Sequence, residues 1–183
     1  MIQIVSQFIS FGIVVLLVAT IGLFLLFVAR RVRKLPIPLE WILSQISEYF
    51  LWLVLFVTAS SVVGSLFYSN VVGFEPCSLC WYQRILLYPQ ALIALLALWY
   101  KDRRFAPQYI LGLSYIGVVI AVYHTYLQYG GLPLVPCSAA TVSCAQRFVF
   151  DFGFVTIPMM SLVVFAFIIL TIHTSIWYNK KQL

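Results

Sequence analysis

Charged side chains cut this chain into five long apolar stretches. Residues 1–29 carry no charge, and neither do residues 49–74, whose densest part runs from Tyr49 to Tyr68. The stretch Trp81–Tyr100 has one charge, Arg84, near its start; residues 105–128 hold His124, and residues 152–179 hold His173. A helix needs about 20 apolar residues to cross a hydrocarbon core, and each stretch is long enough. None alternates apolar and polar positions as a barrel strand does, and backbone polar groups in lipid must be satisfied within their own segment. The pattern predicts an all-α, multi-pass membrane protein. The first stretch has no basic residues before it and exceeds a signal h-region in length, so it reads as a retained span with its N-terminus outside.

Composition agrees. Of 183 residues, 63% are hydrophobic and 9% are charged, and mean hydropathy is +1.04. Soluble domains carry about 25% charged residues, so this chain cannot cover a water-facing surface. A soluble enzyme, a disordered chain, a collagen and a nucleic-acid module are excluded. The net charge of +6 sits in clusters at alternate span ends: Arg30, Arg31, Arg33 and Lys34, then Lys101, Arg103 and Arg104, then Lys180 and Lys181. Basic residues mark the cytoplasmic face of membrane proteins, which predicts cytoplasmic basic loops and C-terminus. Only Arg84 and Arg147 fall on the other side. Trp41, Trp81, Trp99 and Trp177 stand near span ends, where interfacial anchors belong. Small residues four apart, Ser60/Gly64, Ser61/Ser65 and Gly117/Ala121, predict close helix packing.

All four cysteines fall in the two loops of the extracytoplasmic side, Cys77 and Cys80 in one, Cys137 and Cys144 in the other. Thiols on the oxidising side of a membrane pair or cycle. Two structural staples are one reading. The surroundings of the first pair favour redox cycling instead. Pro76-Cys77-Ser78-Leu79-Cys80 is a C-x-x-C at a helix N-terminus, which favours thiolate, and Arg84 follows one turn later on the same face. A cation inside the apolar zone is costly and marks a functional position, although near a span end it can also snorkel to water. The second pair encloses six mostly small residues, a loop that an outside thiol can attack. Zinc is the rival for four cysteines, but the second spacing is too long for a knuckle. The aromatic run Phe148, Phe150, Phe152 and Phe154 predicts a loop lying on the membrane interface. Pro89 predicts a kink.

The segment Pro76-Cys77-Ser78-Leu79-Cys80-Trp81-Tyr82-Gln83-Arg84-Ile85-Leu86-Leu87-Tyr88-Pro89 closely resembles the DsbB/BdbC disulfide-bond formation proteins. So do Tyr123-His124-Thr125-Tyr126-Leu127-Gln128, the second cysteine pair and Phe152-Gly153-Phe154-Val155-Thr156-Ile157-Pro158. The likeness covers about residues 45–178, and the compact second loop is similar to the BdbC branch. It implies a four-transmembrane-helix bundle in a bacterial cell membrane, preceded here by an additional helix (1–29) and a basic cytoplasmic linker (30–44), with a tail at 179–183. It also implies a thiol:quinone oxidoreductase, using ubiquinone or menaquinone, that reoxidises a secreted thioredoxin-fold thiol oxidase of the DsbA/BdbD type. By motif position, Cys137 takes the mixed disulfide with that partner and Cys144 is its mate; Cys77 exchanges, and Cys80 lies nearest the quinone. Arg84 and His124 correspond to quinone-site residues. Nothing in the resemblance gives residues 1–44 a function.

Two other classes compete. A CcdA-type exporter of reducing power needs cysteines reachable from the cytoplasm, and a vitamin K epoxide reductase-like enzyme places its C-x-x-C near the last span. A non-enzymatic anchor stapled by two disulfides would keep both bonds oxidised when a thiol partner arrives without quinone.

Overall fold

The computed structural model describes residues 2–32, 36–133 and 143–180. They form five helices: α1 (Ile2–Val32), α2 (Ile37–Leu66), α3 (Ser78–Tyr100), α4 (Ala106–Gln128) and α5 (Ile157–Lys180). The described residues contain no strand, only an isolated bridge between Asp151 and Val155. Helices α2 to α5 form a closed four-helix ring in which α2 packs on α3, α3 on α4, α4 on α5 and α5 back on α2. Helix α1 stands outside that ring against α5.

Local chemistry sets the helix ends. Pro36 and Pro38 open α2, where their missing N–H groups cost nothing. α3 ends on Lys101 in the left-handed conformation, with φ of 56°. The next residue, Asp102, starts α4 by accepting hydrogen bonds from the backbone N–H groups of Arg104, Phe105 and Ala106. That tight corner turns α3 antiparallel to α4. At the other end of the bundle α2 widens into a π-helical turn, Phe67–Val71, just past Ser65. Such turns are frequent at functional sites.

Four helices, all but α3, are long and apolar enough to cross a membrane. α3 has 23 residues, about 34 Å of helix axis at 1.5 Å per residue, so its length also suffices. Its polar residues lower its hydropathy, and Gln83 and Gln90 among them point inward. Gln90 is fully buried and accepts a hydrogen bond from the Ser114 hydroxyl at 3.0 Å. The ring's centre is filled by Val54, Ile110, Phe165, Ile168 and Ile172, all fully buried. Gly117 lets α4 reach α5: a Cβ there would lie 2.5 Å from the Phe165 ring.

Cys77, Cys80, Cys144 and Asp151 gather at one end of the bundle, hereafter the cysteine end. The basic clusters gather at the other. There Arg103 donates to the carbonyls of Ser47 and Glu48, and Arg30 of α1 pairs with Glu40 of α2. His173 hydrogen-bonds Tyr115 on α4 and takes no part in the cysteine cluster.

Candidate functional site

Cys77 is the N-cap of α3, and its thiol accepts a hydrogen bond from the Cys80 N–H at 3.4 Å. Both thiols are free, with Sγ atoms 3.0 Å apart. Helix geometry turns the two in different directions: Cys77 is buried within the bundle, whereas Cys80 is half-buried and faces a cavity. The Cys77 thiol lies outside α3 and is held well below the ordinary thiol range. Its hydrogen bond with the Cys80 thiol is the main cause, and burial opposes it; the hydrogen bond with His124 then adds to the lowering.

His124 comes from α4 and is 1% exposed. Its Nε2 lies 3.6 Å from Cys77 Sγ and 3.2 Å from the Cys144 carbonyl oxygen. On the other side of the ring, the Gln83 side-chain nitrogen lies 3.3 Å from Nδ1. An amide N–H can only donate, so Nδ1 accepts and Nε2 carries the proton of the neutral imidazole. Cys144 is disulfide-bonded, buried, and packed in one small cluster with Cys77 and Leu127. Its Sγ is 3.6 Å from the Ser78 hydroxyl. Cys137 lies outside the described residues.

Arg84, one turn after Cys80, is drawn into the protein. Its guanidinium donates to the Ser65 carbonyl at 3.1 Å, where α2 gives way to the π-helical turn, and it sits 5.3 Å from the centroid of the Trp81 ring. Tyr88 donates to the Ser65 hydroxyl beside it. Cys80, Gln83 and Arg84 together border a mainly apolar cavity of about 760 Å³ between α1, α2, α3 and α5. Glu75, Tyr68 and the serines Ser60, Ser61, Ser65 and Ser161 also border it. A mainly apolar space bordered by a cation and a thiol fits a quinone: the ring oxygens need a donor and the hydrocarbon tail needs apolar walls. The Cys77, Cys80 and His124 ligand atoms also lie within 4.8 Å of one another, a set of three soft donors where a structural zinc takes four.

Residues 47–175 match the family described as Disulfide bond formation protein DsbB. The chain belongs to that family. Among its relatives, the SPbeta prophage-derived disulfide bond formation protein B of Bacillus subtilis (strain 168) is 44% identical over 123 residues, which cover 67% of this chain and 82% of the relative. Disulfide bond formation protein C of the same strain is 38% identical over 125 residues, covering 67% and 86%. A probable disulfide formation protein of Chlamydia caviae is 41% identical over 118 residues, covering 64% and 82%. No solved structure matches significantly. The protein is thus a DsbB-family membrane protein of disulfide-bond formation, and α1 lies outside the matched region.

Of the residues singled out in sequence, Cys77, Cys80, Cys144, Arg84 and His124 meet at the cysteine end of this DsbB-family bundle. Two readings need correction. The Ser60/Gly64 pair lines the cavity, where a Cβ on Gly64 would meet no atom within 4 Å, and Ser65 borders the cavity while meeting α3 through Arg84 and Tyr88. Phe148 is not spread on an interface with its neighbours; it stacks on Phe74 at 4.7 Å and borders the cavity. Phe150, Phe152 and Phe154 are exposed. Gln83 and Ser78 were not assigned a role from sequence, and Ser65 only a packing one. The one signal for Gln83 was its register: positions 80, 83, 84 and 87 make an inward-facing stripe on α3.

Proposed function

We propose that this chain is a thiol:quinone oxidoreductase of the cell membrane that reoxidises a secreted thioredoxin-fold thiol oxidase of the DsbA type. The observation that carries this reading is a linear order: cavity, Cys80, Cys77, then Cys144. Cys80 borders the cavity, its Sγ lies 3.0 Å from that of Cys77, and Cys77 and Cys144 share one buried cluster and the imidazole of His124.

The steps balance. Oxidation of the partner's dithiol reduces the Cys137–Cys144 disulfide, with Cys137 taking the mixed disulfide. In the working cycle the Cys144 thiolate then attacks Cys77 of an oxidised Cys77–Cys80 pair, breaking that bond and releasing Cys80 as thiolate. Attack of the Cys137 thiolate on Cys144 restores the second pair and releases Cys77. The released Cys77 is a good leaving group because its thiolate is stabilised, and low leaving-group pKa speeds exchange. His124 contributes an Nε2–H between the two cysteines, and Gln83 holds it in that tautomer. A quinone from the membrane pool, ubiquinone or menaquinone, takes up the two electrons and two protons. Arg84 supplies N–H donors at the cavity edge, where negative charge develops, and its own place is fixed by Ser65. The same reading puts the cysteine end outside the cell and the basic end in the cytoplasm.

Alkylation trapping in membranes tests it. Reduced partner without quinone must leave the Cys77 and Cys80 thiols alkylatable, and added quinone must return them to the disulfide. Two bonds that stay oxidised throughout would make the cysteines staples and overturn the reading.

A further inference from the structure

Helix α1 lies outside the region shared with the family, yet it closes the cavity that reaches Cys80. Val5, Ile9, Gly12, Ile13 and Leu16 line that space. They fall at i, i+4, i+7, i+8 and i+11, one face of a helix. The opposite face, with Phe8, Phe11, Val15 and Val18, is exposed. We propose that α1 is the wall of the acceptor site that holds the hydrocarbon tail of an isoprenoid quinone, and that it sets how tightly long-tailed quinones bind. The inference rests on the functional reading above and adds to it a binding role for a segment that the family match leaves out.

Three observations converge on it. First, α1 is fastened at both ends. At the cysteine end, the Ser6 hydroxyl lies 3.1 Å from the Tyr68 hydroxyl, and the buried Ser10 donates to the Asp151 carboxylate. At the basic end, Arg30 pairs with Glu40 and stands over the Trp177 ring. A helix held in lipid only by apolar contact needs no such anchors. Second, the wall is elongated. From Val5 to Leu16 is about 16 Å of helix axis at 1.5 Å per residue, and Leu16 also packs against the core of the bundle. All its lining residues on α1 are apolar or glycine, which suits a tail and offers a ring oxygen no donor. Third, the space is made by missing side chains on both sides. Gly12 of α1 and Gly64 of α2 both border it, and a Cβ on either would meet no atom within 4 Å.

The test uses full-length protein purified in mild detergent. Gly12→Leu fills the cavity from α1 and improves helix propensity, so it should fold with an unchanged thermal midpoint once quinone is removed. Val15→Leu, on the exposed face, is the matched control. The first readout is quinone extracted per chain after purification. The second is apparent KM for a long-tailed and for a tail-less quinone. Gly12→Leu should retain several-fold less quinone than wild type and Val15→Leu. Its KM for the long-tailed form should rise by roughly tenfold, equivalent to about 1.4 kcal/mol of binding, with the tail-less form unaffected. A folded Gly12→Leu protein that keeps its quinone and its preference for a tail overturns the role of α1 and leaves the relay intact. Wild-type protein that neither retains quinone nor saturates with any quinone overturns the relay itself, and the tail site with it.

Discussion

The side-chain amide of Gln83 lies 3.3 Å from Nδ1 of His124, and this contact decides which imidazole nitrogen faces the cysteines. With Nδ1 accepting, the Nε2–H is available to Cys77 and to the Cys144 carbonyl together. An α3 residue with no redox chemistry of its own thereby orients the α4 group lying between the two cysteine pairs.

Replacing Gln83 with Leu removes that orientation while keeping the volume apolar and similar. Exchange between the two pairs should slow by a few-fold to about tenfold, the worth of one hydrogen bond of ~0.5–1.5 kcal/mol. Gln83→Glu keeps a hydrogen bond but makes it an acceptor that favours the opposite tautomer or imidazolium, and its pH profile should differ from wild type. Rapid-quench alkylation resolves the step. An unchanged exchange rate and pH profile in both variants would remove Gln83 from the relay.

The ionisation of Cys77 gives a pH test. In reduced protein its thiol is pulled down to about 4, against about 8.5 for a free cysteine. The depressed value means that the thiolate stabilises the folded reduced state fully above the unfolded value. That contribution is lost progressively as pH falls from there through the folded value. A Cys137→Ser/Cys144→Ser double variant isolates the pair, and its ultraviolet thiolate absorbance should persist from pH 8 to about 5. A single transition near the free-cysteine value would refute the assignment.

Arg84→Gln keeps length and polarity but deletes the charge. Hydrogen bonds to ionised groups are worth ~1.5–3 kcal/mol, so apparent affinity for quinone should fall by roughly tenfold or more. Formation of the mixed disulfide between Cys137 and the partner should survive, because it takes place in another loop. Turnover against quinone concentration, read beside the trapped mixed disulfide, separates the two. Unchanged quinone dependence would leave Arg84 as an anchor between Ser65 and Trp81.

Gly117→Val tests the ring rather than the site. Its side chain must displace the fully buried Phe165, and overpacking of this kind costs about 1–3 kcal/mol. The thermal midpoint should drop without a change in the quinone dependence of the remaining folded protein. A midpoint equal to wild type would mean that α4 and α5 are not in close contact there.

Sidedness can be probed with a single reporter cysteine in the α3–α4 corner. Asp102 is a poor site, because its carboxylate caps α4 through three backbone N–H groups. Exposed Arg104 is suitable: Arg104→Cys should react with an impermeant maleimide only from the cytoplasm. Labelling from outside whole cells would invert the orientation.

The helices were legible because a membrane leaves the backbone few options, and five apolar stretches, one of them carrying Arg84, anticipate the five helices. That Cys77, Cys80, Cys144, Arg84 and His124 share one end of the bundle was legible from spacing and motif. What the sequence could not distinguish was which way small residues face. A stripe of Ser and Gly at i, i+4 reads the same whether it meets a neighbouring helix, as Gly117 does, or keeps a space open, as Gly64 does. Arg84 was ambiguous for a related reason. A cation one turn inside a span can reach out to water or in to a carbonyl, and the π-helical turn that exposes the Ser65 carbonyl leaves no motif in α2. Helix α1 had no role in the pattern because its lining face is as apolar as its lipid face.

Within the proposed relay, one consequence follows from Cys77 being the cap of α3. Its sulfur holds the Cys80 amide hydrogen, and a thiolate is a far stronger acceptor than a disulfide sulfur. The first turn of α3 is therefore firmer when the pair is reduced and frays more readily when it is oxidised. Solvent exchange at that one amide becomes a gauge of electron occupancy, and each turnover loosens and re-tightens the helix end that faces the next pair of electrons.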